Sequence, residues 1–126
     1  MTFHPTHSAV PGLICAFGFD AAGRGRRLEE AVICHPEGSS DGWIWLHLNF
    51  ADWRCRKWLA QNFALPDNLV AELCDPPLRQ CVNAWEGVLH GHLADFRREF
   101  DADSTEFAWL HFVLGARFLI TGRVKA

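Results

Sequence analysis

Every second side chain of Gly42-Trp43-Ile44-Trp45-Leu46-His47-Leu48-Asn49 is aliphatic from Ile44 onward. A period of two marks a strand, whose successive side chains point to opposite faces. Ile44, Leu46, Leu48 and Phe50 form a purely apolar face. Trp43, Trp45, His47 and Asn49 form the other, aromatic with a polar end. The turn formers Gly38-Ser39-Ser40-Asp41-Gly42 precede the run and Asn49 closes it. A strand with so little freely solvated surface belongs in the middle of a covered sheet. The other elements are placed around it.

Leu13 to Phe19 is apolar on both faces and predicts a central strand. Asp20 to Gly25 is a turn-rich connection. Its Gly23-x-Gly25 lacks the third glycine and the helix opening of a phosphate loop. Leu28 to His35 predicts a short helix ended by Pro36. After the central strand, Asp52 is placed as N-cap of a helix running to about Asn62. Cys55, Leu59 and Phe63 make its apolar stripe, widened by Trp58, while Arg54, Arg56 and Lys57 face away. A second helix, Asn68 to Cys74, buries Leu69, Val70 and Leu73 before Asp75-Pro76-Pro77 stops it.

Four strands follow. Arg79 to Trp85 and Val88 to Phe96 form a hairpin about Glu86-Gly87. Phe107 to Leu114 and Arg117 to Thr121 pair through Gly115-Ala116, where Gly115 is expected to supply the positive φ of a two-residue turn. The order β, α, β, α, α and four meandering strands predicts a layered α/β (mixed α+β) domain. Its central sheet is mixed parallel and antiparallel, with helices packed on it. Residues 1–9 are expected to be a flexible terminus, and 10–126 a single domain without a linker.

Composition narrows the function. The 126 residues carry a formal charge of −3, and Lys and Arg form no long run, which argues against a nucleic-acid surface. With 49% hydrophobic residues, six Trp and ten Phe, the chain can fill a core without crosslinks. The five Cys are never spaced Cys-x-x-Cys and read as buried thiols in a reducing compartment. No basic region opens the chain as a secretion signal would, and the longest apolar stretch, Phe107 to Gly122, is broken by His111 and Arg117. A soluble chain is expected.

Candidate chemistry is sparse. His90 and His92 lie two apart on one strand and so share a face, a spacing that suits two ligands of one zinc ion. A third would come from a neighbouring strand, His47 or His111. The commoner role for such residues is a half-buried imidazole held by backbone or carboxylate partners. His4 and His7 stand at i, i+3 on the terminal tail. Glu99 to Glu106 bunches four carboxylates, without the glycine bend or closing Glu of a calcium loop. No Gly-x-Ser-x-Gly elbow, activated Cys or carboxylate couple is present. No catalytic residue, no cofactor-binding residue and no enzyme activity is expected.

The string Trp43-x-Trp45-Leu46-His47-Leu48-Asn49, followed by Trp58-Leu59, resembles the N-terminal cytoplasmic domain of the CorA-like divalent cation transporters, in their zinc-transporting ZntB branch. Gly12 to Phe17 resembles the branch's opening strand. Pro76-Pro77-Leu78-Arg79 stands where the branch has Arg-Pro-Arg, with one Arg lost. The Glu86-Gly87 hairpin, the acidic loop and the last strand pair follow in the family's order, over residues 11–123. His90 and His92 depart from the branch, which is aliphatic there.

The resemblance implies a regulatory cytoplasmic domain of a transporter for Mg²⁺, Zn²⁺ or a similar ion. It implies a homopentamer at the cytoplasmic face of the bacterial inner membrane, attached through membrane helices that would follow this chain. The chain is therefore expected to be a piece ended at a domain boundary, monomeric or weakly dimeric by itself. The alternatives are a stand-alone binding module and, third, a small metal-dependent hydrolase built on the histidines.

Overall fold

A computed structural model describes residues 10–29, 42–96 and 107–124. Its strands are β1 (Leu13–Asp20), β2 (Gly25–Arg27), β3 (Gly42–Asn49), β4 (Cys81–Trp85), β5 (Val88–Phe96), β6 (Phe107–Leu114) and β7 (Phe118–Arg123). Helices α1 (Arg54–Phe63) and α2 (Asp67–Cys74) follow β3. All seven strands form one sheet, in the order β2-β1-β3-β7-β6-β5-β4. β3 and β7 are parallel, and every other neighbouring pair is antiparallel. The sheet is thus mixed, as its sequence predicts.

The core lies between this sheet and the two helices. Ile44, Leu46, Leu48 and Phe50 are all buried, and they meet Ala16 from β1 and Val113 and Ile120 from β6 and β7. The helices add Cys55, Leu59 and Phe63 from α1, and Leu69, Val70, Leu73 and Cys74 from α2. Apolar burial of this kind contributes about 25 cal/mol per Å², the main force holding helices to sheet. Burial also pushes the Cys55 thiol up to about 12 and that of Cys74 up to about 11, so neither is a ready nucleophile.

The second face of β3 is less enclosed than its sequence predicts. Trp43 stacks on Phe19 at 4.4 Å and Trp45 tilts against Phe17 at 5.7 Å. No described helix packs over this face, and Trp43, Leu89, Leu93 and Leu114 keep between 37% and 44% of their surface in solvent. The large aromatic faces cover one another across the strands instead of packing under a second layer.

Several local expectations shift. Asp52 lies one position before the N-cap, which is Trp53. Its carboxylate nevertheless accepts from the Arg54 amide at 3.1 Å and from the Arg54 guanidinium at 2.7 Å, which holds its carboxyl below the usual range. Three residues, not two, separate β6 from β7, and Gly115 does not take a positive φ. What Gly115 supplies is space, because the Phe118 ring packs where its Cβ would be. Positive φ occurs at Glu86 (39°) and Gly87 (81°), the two-residue turn of the β4–β5 hairpin. Strand β2 is too short and polar to be seen in the sequence. The helix expected over Leu28 to His35 and the acidic loop Glu99 to Glu106 lie in or largely within residues outside the described ones, as do His4, His7 and Cys34.

Candidate functional site

The strand register decides which histidines meet. Because Glu86 and Gly87 close a two-residue turn, Trp85 faces Val88, and stepping outward places Cys81 opposite His92 and Asn83 opposite His90. On the other side of β5, His92 pairs with His111 and His90 with Val113. His111 in turn pairs with Gly122 of β7. One row across the helix-covered face therefore reads Cys81, His92, His111, Gly122. The three imidazoles of His90, His92 and His111 are 6%, 3% and 2% exposed.

His47 does not join them. It points to the opposite face, where its Nδ1 shares a hydrogen bond of 2.8 Å with the Thr121 hydroxyl. The Trp45 indole Nε1–H donates to the same oxygen at 2.9 Å. The reason is parity: His47 belongs to the Trp43–Trp45 face of β3, whereas the buried row continues through Leu46 and Leu48. His47 as a third ligand beside His90 and His92 is thereby corrected.

The buried row is organised by a backbone group that sequence reasoning missed. Leu73 lies near the C-terminal end of α2, where carbonyls lose their helical donors. The residue four further on is Pro77, which has no N–H to give. Two imidazoles take its place. His111 Nδ1–H donates to the Leu73 carbonyl at 2.5 Å and His92 Nε2–H donates to it at 3.2 Å. A carbonyl only accepts, so these bonds set both tautomers. The lone pairs on His92 Nδ1 and His111 Nε2 are left over.

The two rings meet edge to face at 4.6 Å. The Phe50 ring packs edge-on against His111 at 5.6 Å, in the space that Gly122 leaves open. Burial, helped by the proximity of His92 and opposed by the bond to Leu73, holds the His111 pKa below the ordinary imidazole value. His111 is therefore neutral at neutral pH. His90 has no hydrogen-bond partner among the described residues.

Beside this row lies an open cavity of about 590 Å³, lined by Glu72, Asp75, Arg79, Cys81, Asn83 and His92 among others. In the side-chain conformations seen, no three His, Cys, Asp or Glu groups among the described residues stand close enough to hold a metal ion. Elsewhere the charged side chains of α1 make surface pairs: Arg56 bonds Asp75 at 2.5 Å, tying α1 to the end of α2. Such an exposed pair contributes about 0–1 kcal/mol.

Comparison with known proteins bears on the whole chain. Residues 40–125 match the family described as CorA-like Mg2+ transporter protein. No curated protein matches the sequence. Among solved structures, the fold is similar to that of the full-length CmaX protein, with a TM-score of 0.78 and 20% identity, over 94% of this chain and 36% of that one. It is similar too to the cytoplasmic domain of ZntB from Vibrio parahaemolyticus, with a TM-score of 0.70 and 14% identity, over 92% of this chain and 46% of that one. The chain spans less than half the length of either.

Proposed function

The chain belongs to the CorA-like Mg2+ transporter family, and from that premise we propose that it is the cytoplasmic regulatory domain of a divalent cation transporter. The observation that carries this reading is the sheet itself. Its seven mixed strands follow the ZntB cytoplasmic domain over 92% of the chain. In full-length CmaX the same fold is only 36% of a longer polypeptide. Among the described residues no helix is long and apolar enough to cross a membrane, so conduction would fall to other segments.

On this reading the domain works without catalysis, as part of a homopentamer at the cytoplasmic face of the bacterial inner membrane. Ion occupancy would bias the packing of subunits and hence the gate, in the manner of any ligand with different affinity for two states. Mg²⁺ and Zn²⁺ are both candidate cargo.

The test begins with the gene. A reading frame that continues past Ala126 into two long apolar segments is expected. The full product, reconstituted in liposomes enclosing an ion-sensitive dye, should admit a divalent cation, and deletion of residues 10–124 should change the concentration at which flux is curbed. Absence of the apolar segments, or a sealed liposome, would sink the proposal. The open aromatic face of the sheet favours the second reading, a stand-alone binding module. A frame that ends at Ala126 would select it.

A further inference from the structure

We propose that His90, His92 and His111 form a binding site for a zinc-like divalent cation on the helix-covered face of the sheet. The argument starts from strand geometry. His90 and His92 project from β5 to one side, and His111 stands opposite His92 on β6. Directly paired residues on neighbouring strands and next-but-one residues on a single strand place their Cβ atoms about 5–7 Å apart, and the diagonal pair His90 and His111 stands about 7–8 Å apart. That span can be closed on a single ion by imidazole side chains, with nitrogen–metal distances of about 2.0–2.1 Å.

The hydrogen bonds point the same way. A histidine that ligates a metal commonly donates its other ring N–H to a carbonyl or carboxylate, which fixes its tautomer and aims its lone pair. His92 and His111 already do this, both on the Leu73 carbonyl, with His92 Nδ1 and His111 Nε2 left as lone pairs.

His90 supplies the independent sign. It is 94% buried by its 6% exposure, yet no described residue bonds its ring. A buried polar group without a partner costs about 1–3 kcal/mol, a cost that ligation would remove. In the conformations seen the three rings have not converged. His90 is the one with no bond to give up, so its rotation closes the site, with smaller tilts of the other two.

The ligand class follows from the donors. Neutral imidazoles suit zinc and its transition-metal neighbours, whereas Mg²⁺ demands oxygen. His92 also lines the open cavity beside Cys81 and Glu72, which would provide an entry path for the ion. Occupancy would reach α2 directly, because two of the ligands hold its last turn through Leu73. This gives the regulatory reading a sensing site, but it stands on the geometry of this chain alone. A negative result here leaves the flux experiment untouched.

The experiment titrates zinc chloride into the purified 126-residue chain at pH 7.5, against a chromogenic chelator. Binding of one ion per chain at low micromolar concentration or tighter is expected, with a rise in Tm and slower amide exchange over the last turn of α2. Magnesium chloride should do neither. His90→Ala removes no hydrogen bond and should fold as the parent does, checked by circular dichroism, while losing zinc affinity by about tenfold or more. His92→Gln and His111→Gln should lose it too. A variant carrying both His4→Ala and His7→Ala should bind as the parent does. The proposal is overturned if no zinc binds below about 100 μM, a weak value for a site of neutral imidazoles. Undiminished binding by His90→Ala, or loss of binding in the tail variant, overturns it equally.

Discussion

Leu46, Leu48, Leu59, Leu73, Val113 and Ile120 have no solvent-exposed surface, and Leu46 lies on an inner strand of the sheet, paired with Ile120 of β7. Removing its isobutyl group would leave a cavity that close-packed neighbours fill only in part. Leu46→Ala should therefore cost about 2–5 kcal/mol, read as a lower midpoint in urea at an unchanged m-value. His111 sets the pH dependence. Its folded pKa is lowered by burial, so the unfolded chain binds the proton more tightly. Stability from this group is full above the ordinary imidazole pKa and is lost as pH falls below it toward the folded value. Urea midpoints measured from pH 7.5 down to 5 should fall. In His111→Gln, which keeps a donor for Leu73, that fall should be shallower. An equal fall in both would assign it to other groups.

At the scale of elements, the hairpin joining β4 and β5 is the most exposed to a single change. Glu86 and Gly87 both take positive φ, the geometry of a type I′ turn. A Cβ added at Gly87 would meet no atom within 4 Å, so its cost is one of backbone conformation alone. Gly87→Ala should destabilise the domain by about 1–2 kcal/mol, and Glu86→Asn should stabilise it slightly, both measurable by thermal unfolding. This hairpin also shows what the sequence carries. Once Glu86-Gly87 is accepted as a two-residue turn, the pairing of Cys81 with His92 follows by counting.

The pairing of His92 with His111 does not follow that way. The connection between β5 and β6 is long, and its length leaves the register free. For the same reason His47 passed for a neighbour of the other histidines: period two shows that a strand has two faces but not which face of the next strand each will join. The Leu73 carbonyl could be suspected from the chain, since Pro77 stands four residues on and leaves it without a donor. Which side chains would fill that role was invisible, because it depends on where α2 lands on the sheet. The core was more legible. The stripe Cys55, Leu59 and Phe63 and the β3 face were readable because burial and periodicity coincide there. Strand β2 was not, since three exposed polar residues have no period.

Across the whole molecule, the parallel seam between β3 and β7 has a kinetic consequence. His47 and Thr121 lie side by side there although 74 residues separate them along the chain. Every other strand partnership among the described residues is antiparallel, and their sheet becomes continuous only when this seam shuts. During synthesis at about 5–20 residues per second, β3 waits several seconds with one of its two edges bare before its partner emerges. That edge belongs to a strand carrying two tryptophans and three aliphatic side chains, the kind of surface that pairs with strangers. The helices α1 and α2, made in the interval, can shield its inner face but not its backbone. Refolding should accordingly be slow for so small a protein, and its yield should fall as chain concentration rises.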